Sequence, residues 1–244
     1  MNWALGPAGT AMIGAWLHHR PVLAFDFDGT LAPIVAEPAA AAMADTTSAL
    51  LRRLALRQPC VVISGRSRVD VGLRLAGIPV SEVIGNHGSE PWLDPEPLRR
   101  WTGQAILFLR THLARLAGVE LEDKGISLSV HYRRAFARAA VITAVQQAAR
   151  CLSAGALIRG KYVINLLPPT ALDKGQALLR MMGQLAQTHA IYVGDDATDE
   201  HAFTLGRRHG ILGIRVGHRR GSQAALYLKQ QSEIDRLLTL LGNG

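Results

Sequence analysis

The sequence predicts an α/β protein in which a Rossmann-like parallel sheet is interrupted by an inserted α+β domain. Three short apolar runs, Pro21-Val-Leu-Ala-Phe25, Pro59-Cys-Val-Val-Ile63 and Ala190-Ile-Tyr-Val-Gly194, are hydrophobic throughout and lead into or end in glycine turns. Strands covered by helices on both faces read this way. The runs alternate with helically patterned segments, which calls for right-handed crossovers between parallel strands. Between the prolyl stretches Pro91–Pro97 and Pro168-Pro169 the pattern changes to helix, hairpin, helix, hairpin. Residues 92–167 are therefore expected to form a domain inserted into a core of residues 1–91 and 168–244.

Residues 1–20 predict a helix or arm. Asp45-Thr46-Thr47-Ser48 reads as an N-cap cluster ahead of a helix over Ala49–Leu56, whose leucines recur at helical spacing. The strand through Pro59–Ser64 is followed by a helix at Val69–Leu75, a short strand at Val83-Ile84 and a polar glycine loop, Gly85–Glu90. In the insertion a long helix, Leu98–Leu116, precedes segments 119–124 and 126–133, which alternate about Gly125 as a hairpin would. A second helix, Ala135–Leu152, and a second hairpin, 156–159 with 162–167 about Gly160-Lys161, repeat the arrangement but not the sequence. The core resumes with a helix from Asp173 to Leu185, the strand at Ala190–Gly194, a helix at His201–Arg208, a strand at Gly213–Val216 and a last strand–helix pair to Leu241.

The 244 residues are 48% hydrophobic, enough for a sizeable core and incompatible with a disordered chain. Cys60 and Cys151 match no metal or disulfide spacing, which fits a reduced cytosol. No signal peptide is legible and no apolar run reaches the roughly 18 residues of a membrane span, so a cytoplasmic protein without a membrane partner is expected. The net charge of +8 is spread over scattered pairs such as Arg99-Arg100, Arg133-Arg134, Arg207-Arg208 and Arg219-Arg220. These form no block or periodic stripe, and a basic mouth that attracts an anionic substrate fits them as well as nucleic acid does. The expected state is a monomer or weak dimer.

The chemistry collects where the apolar runs end. Asp26 and Asp28 follow the first run at a spacing of two, so in an extended chain they point the same way, just past the strand's carboxyl end. A helix N-cap explains one such aspartate but not the pair. Two close carboxylates call for a hard cation with oxygen ligands, such as Mg²⁺. Ser64 ends the second run; Asp195, Asp196 and Asp199 follow the third, and Lys174 opens a helix. On one edge of a parallel sheet this set suits a phosphorylated substrate. Asp26 can attack phosphorus and Asp28 can move the proton. Asp195 would help hold Mg²⁺, while Ser64 and Lys174 would meet the phosphoryl oxygens. The clustered aspartates would repel a polyanion, which argues against nucleic acid.

The ordered set Asp26-Phe-Asp-Gly-Thr30, Ser64-Gly-Arg66, Lys174-Gly175 and Gly194-Asp-Asp-Ala-Thr-Asp-Glu200 resembles the four motifs of the haloacid dehalogenase (HAD) superfamily of phosphohydrolases. That resemblance implies a HAD core with Asp26 as nucleophile and Asp28 as acid/base. It also implies Mg²⁺ held by Asp26, the Asp28 carbonyl and Asp195, with Asp199 in support. The insertion would be a C2B-type cap, αββαββ.

Substrate choice in such enzymes rests mainly on the cap. Glu122-Asp-Lys124, His131-Tyr-Arg133, Asn86-His87-Gly88 and the Gly-Asp-Asp-x-Thr-Asp-Glu ending resemble the trehalose-6-phosphate phosphatases. An alternating strand puts Glu122 and Lys124 on one face, where they can bind sugar hydroxyls or merely form a cross-strand ion pair. The resemblance implies the sugar-binding role, with Arg133, Lys161 and Asn165 beside them. Arg66 is expected to contact substrate or cap, and Asn86-His87 to face a core–cap cleft. The family's Gly-Lys-x-Val-x-Glu is here Gly160-Lys-Tyr-Val-Ile-Asn165, with an uncharged amide replacing the acid. The implied reaction is hydrolysis of trehalose 6-phosphate, the last step of trehalose biosynthesis. The alternative is a glucosyl- or mannosyl-phosphoglycerate or sucrose phosphate.

Overall fold

Seven strands, Asn2–Trp3 (β1), Val22–Phe25 (β2), Cys60–Ile63 (β3), Glu82–Ile84 (β4), Ala190–Gly194 (β9), Ile211–Val216 (β10) and Leu226–Leu228 (β11), form one sheet in the order β1-β11-β10-β9-β2-β3-β4 among the described residues. The structure is a computed structural model and describes residues 1–160 and 162–243. All six pairings are parallel. Every residue of β2, β3, β9 and β10 is buried, and the apolar runs of β2, β3 and β9 follow from cover on both faces. From β2 the chain winds through β3 to β4; it later returns to β2's other side as β9 and winds outward through β10 to β11. The strand order thus reverses between β2 and β9, and crevices open at the carboxyl ends of such neighbours. The Asp26 N–H donates to the Val193 carbonyl at 2.8 Å, which fixes the register of the two loops there.

Helices α1 (Pro7–Leu17), α2 (Asp45–Ala55), α3 (Arg68–Arg74), α6 (Lys174–Gln184), α7 (Glu200–Leu205) and α8 (Ile234–Gly242) complete this unit. One apolar cluster includes Ile13, Leu51, Leu54, Val71, Leu237 and Leu241 from helices, with Leu23, Phe25, Val62, Ile191 and Leu212 from the sheet. The expected N-cap cluster is corrected. Helix α2 begins at Asp45 with Ala44 as its N-cap, and no side chain caps it. Thr46 and Thr47 instead donate to the two carboxylate oxygens of Asp235 on α8, at 2.7 and 2.6 Å. Residues 1–20 hold a strand as well as a helix, because Asn2 and Trp3 extend the sheet beside β11.

The chain divides into two compact units, Met1–Glu90 with Asp173–Gly244, and Pro91–Leu172. In the second, Glu120–Asp123 (β5), Leu128–His131 (β6), Ala156–Gly160 (β7) and Val163–Leu167 (β8) form an antiparallel sheet in the order β5-β6-β8-β7. Helices α4 (Pro95–Leu113) and α5 (Arg138–Cys151) pack on it through Leu109, Val141 and Val145 against Val130, Ile164 and Leu166. Side chains alternate across a sheet, so Glu122, Ser129 and Asn165, which pair in one row, lie on the other face. Among the described residues no helix is long and apolar enough to cross a membrane.

Candidate active site

The loop after β2 turns at Gly29, whose φ is +81°; a Cβ there would lie 2.2 Å from Asp195 Oδ2. Only glycine allows both that backbone and that approach. Asp26 and Asp195 are thereby drawn together, and carboxylate oxygens of Asp26, Asp195 and Asp199 lie within 4.8 Å of one another. Asp195 Oδ1 is buried and has no hydrogen-bond partner among the described residues. A buried oxygen left bare in an all-carboxylate cluster fits a hard cation with oxygen ligands. Burial raises the Asp195 pKa to about 7, with Asp199 adding to the effect. Burial likewise pushes Asp26 well above the usual carboxylate range; Lys174 pulls it back, while Asp199 and Asp195 push it further. These are carboxylates short of positive charge.

Lys174 opens α6 behind a capping box: Asp173 Oδ1 accepts from the Gln176 N–H at 2.8 Å, and Gln176 Oε1 accepts from the Asp173 N–H at 3.1 Å. This reciprocal pair fixes the helix's first turn. The Lys174 ammonium is buried between Asp26 Oδ1 at 3.0 Å and Asp199 Oδ1 at 2.8 Å. Burial alone would lower the Lys174 pKa, but Asp199 and Asp26 outweigh it and raise it, so the group stays charged. Asp199 also accepts from the Tyr192 hydroxyl at 2.6 Å and from the Asp196 N–H at 2.8 Å. Asp199 therefore accepts from Lys174, Tyr192 and the Asp196 N–H together.

The Asp28 side chain lies outside the acidic cluster, and Arg66 is the reason. Its fork grips Asp28 through Nε at 2.6 Å and Nη2 at 2.7 Å, and also reaches Asp70 at 2.8 Å and the Pro38 carbonyl at 2.8 Å. Arg66, expected to contact substrate or cap, here holds the second aspartate in a bidentate pair. Ser64 is buried; its Oγ accepts from the Arg66 N–H at 3.2 Å, a bond that leaves its own O–H unused. Asn86 and His87 are also buried. Their N–H groups donate to the carbonyls of Arg66 at 2.7 Å and Ser64 at 2.9 Å, bracing that loop. The His87 ring lies so close to Gly65 that a Cβ there would meet it at 2.5 Å.

In the inserted unit, His131 Nε2 lies 2.7 Å from Glu122 Oε2, and Ser129 Oγ donates to Asn165 Oδ1 at 2.5 Å. The Lys124 N–H donates to the Ser127 carbonyl at 3.0 Å in the turn just past β5. The Arg133 guanidinium stands 5.8 Å from the Tyr162 ring centroid. Lys161 lies outside the described residues.

Sequence reasoning missed Tyr192 and Arg215. Arg215 is buried at the end of β10; it donates to the Asp196 carbonyl at 3.1 Å, to Glu200 at 2.9 Å and to the Asp195 carbonyl, so it ties down the acidic loop. The signal was available, since a phenol or a guanidinium inside an apolar strand needs a partner when buried.

The sequence model of the trehalose-phosphatase family matches residues 24–232. The trehalose-phosphate phosphatase of Mycobacterium tuberculosis is 36% identical over 208 residues, which are 79% of this chain and 53% of that protein. That of Mycobacterium avium is 36% identical over 213 residues, 81% of this chain and 54% of the relative. The chain thus spans about half the length of the curated relatives it matches. Among solved structures, the C-terminal domain of Candida albicans trehalose-6-phosphate phosphatase superposes with a TM-score of 0.76 at 20% identity, covering 95% of this chain and 96% of that one. The Aspergillus fumigatus trehalose-6-phosphate phosphatase gives 0.69 at 22% identity, with 100% and 99% covered. These likenesses show a shared fold, and the sequence match shows more: the chain belongs to the trehalose-phosphatase family.

Proposed function

We propose that the chain is a Mg²⁺-dependent phosphatase that releases phosphate from trehalose 6-phosphate through an aspartyl-phosphate intermediate. The observation that carries this reading is Lys174, buried between Asp26 and Asp199 with Asp195 in reach, at the point where the strand order reverses. Asp26 attacks phosphorus while Lys174 holds one of its oxygens, so that an anion can approach an anion. Asp28 protonates the departing sugar alkoxide and then deprotonates the water that hydrolyses the intermediate. Between these tasks it is a carboxylate, the form that the Arg66 fork is built to hold. The Ser64 hydroxyl donates to a phosphoryl oxygen. Asp26, Asp195 and the Asp28 carbonyl, with Asp199 behind them, are the residues that would hold Mg²⁺. When bound, the ion would neutralise charge on the phosphoryl oxygens as a Lewis acid.

Glu122, Lys124, Arg133, Lys161 and Asn165 would bind the sugar, and the family match supports that assignment. Two cysteines without a disulfide support a reducing compartment such as the cytosol. A second reading, hydrolysis of another glycosyl phosphate, is favoured by one observation: Asn165 carries no charge and is already engaged by Ser129. Phosphate release from a panel of sugar phosphates, with Mg²⁺ and with EDTA, tests both. The expected result is highest kcat/KM for trehalose 6-phosphate and loss of turnover in EDTA. A preference for sucrose phosphate or a glycosyl phosphoglycerate overturns the sugar assignment, and undiminished turnover in EDTA overturns the metal dependence.

A further inference from the structure

Tyr192 stands in the middle of β9 with its side chain fully buried. Its ring packs edge-on against Phe203, with centroids 5.8 Å apart. Its hydroxyl, however, donates to Asp199 Oδ1 at 2.6 Å, the same oxygen that accepts from Lys174 Nζ at 2.8 Å. The other oxygen, Oδ2, accepts from the Asp196 N–H. Gly194 admits the carboxylate so closely that a Cβ would lie 2.3 Å from Asp199 Cγ. Three donors and a glycine therefore fix Asp199, and only one of the three donors is charged.

This matters because Lys174 is shared. An ammonium has three N–H groups. Asp199 and Asp26 take two of them here, and the third remains for the group being transferred. How the lysine divides itself depends on how much unsatisfied charge each carboxylate presents. A neutral phenol that bonds to Asp199 Oδ1 relieves part of that charge without adding a competing cation. Deprived of it, Asp199 would draw Lys174 closer and away from Asp26. We propose that Tyr192 is a positioning residue for phosphoryl transfer, its hydroxyl satisfying Asp199 so that Lys174 stays on Asp26. This deepens the phosphatase reading and rests on it.

The test is a cycle of wild type, Tyr192→Phe, Asp199→Asn and the double variant, assayed on trehalose 6-phosphate and on p-nitrophenyl phosphate. Tyr192→Phe keeps the ring and its packing. It should lower kcat about tenfold on both esters, the size expected of one charge-assisted hydrogen bond, and leave each KM within about twofold. In the Asp199→Asn background the same change should cost less than about twofold, because contacting residues that act together are not additive. A kcat for Tyr192→Phe within twofold of wild type, even with a lowered unfolding temperature, overturns the proposal. So does an equal loss in both backgrounds. Where Asp199→Asn yields no folded protein, the split of kcat from KM in Tyr192→Phe decides alone. Wild type active only on the aryl ester removes the sugar assignment and leaves Tyr192 to be judged on that ester. Wild type active on neither removes the phosphatase reading and the Tyr192 assignment with it.

Discussion

Replacing Lys174 with methionine isolates the charge that the core site is arranged around. Methionine preserves most of the apolar stem and removes only the ammonium, so packing changes little. What remains is Asp26 and Asp199, 4% and 0% exposed, no longer offset by the ammonium that now touches both. Burial already pushes Asp26 and Asp195 above the carboxylate range, and Lys174 opposes that push on each. Breaking a buried ion pair by removing one partner costs about 3–5 kcal/mol, because the surviving charge stays buried. For a chain of this size each kcal/mol moves Tm by about 2–4 °C, so Lys174→Met should unfold roughly 10 °C below wild type. Thermal unfolding followed by circular dichroism measures it. Added Mg²⁺ supplies a cation that binds the folded carboxylates and not the unfolded chain, so it should narrow the gap. Phosphate release should be lost at every Mg²⁺ concentration, since the ion does not replace the ammonium on Asp26. A variant that unfolds within about 2 °C of wild type would refute the claim that Lys174 offsets these carboxylates. One that still hydrolyses its ester would refute its part in the chemistry.

Asp28→Asn should lower turnover of trehalose 6-phosphate by about 10²–10⁴-fold, the range for a lost general acid–base. With p-nitrophenyl phosphate, whose leaving group needs no proton, it should release one burst of nitrophenolate per enzyme and stall; steady turnover would place the proton transfer elsewhere. Gly29→Ala forces an L residue to φ +81° and a Cβ onto Asp195. It should cost about 1–2 kcal/mol in a urea titration from the backbone alone. It should also slow turnover by about 10²-fold as Asp195 is displaced; wild-type kinetics would clear the loop of any such constraint. Lys124→Ala should reduce kcat/KM for trehalose 6-phosphate about tenfold, one charged hydrogen bond to a hydroxyl, and spare the aryl ester; equal losses on both would remove Lys124 from the sugar site. Burial and then the charge of His19, whose ring stacks 4.1 Å away, lower the pKa of His189. A histidine whose pKa is lowered by folding contributes stability above about 6.5 that is lost as the pH falls through its folded value. His189→Phe should therefore lose less Tm than wild type between pH 7.5 and 5.5, and an equal loss would exonerate the pair.

The core site was legible because its chemistry is specific to residue type and its sheet is parallel. Asp26, Ser64 and Asp195 each end a buried strand, and parallel strands bring such ends to one edge. What the sequence hid was the partner of each long side chain. Thr46 and Thr47 satisfy every local rule for an N-cap, yet Asp235, 188 or more residues away, takes their hydroxyls. Arg66 was legible as a residue of the site edge, but nothing in its spacing says that its fork closes on Asp28, 38 residues earlier. β1 was invisible because two residues cannot show an alternation.

The inserted unit shows the same limit at the level of a sheet. Both hairpins were legible from alternation about their turns, and alternation alone puts Ser129 and Asn165 on some face of their own strands. It does not say that β6 and β8 pair with one another and so fuse the hairpins into the order β5-β6-β8-β7. That pairing puts Ser129 opposite both Glu122 and Asn165 and lets its hydroxyl close on the amide. A period of two leaves no freedom to slip, since one residue of shift would send Val130 and Ile164 to the polar face and Asn165 into the apolar core. The register that packs α4 and α5 is therefore the register that sets the polar row. The identity of residue 165 then becomes a question about its neighbour: a glutamate there would carry its oxygens one methylene further out and bring a charge that Asn165 lacks. On the proposed sugar assignment, changes at residues 129 and 165 should therefore act non-additively on substrate preference.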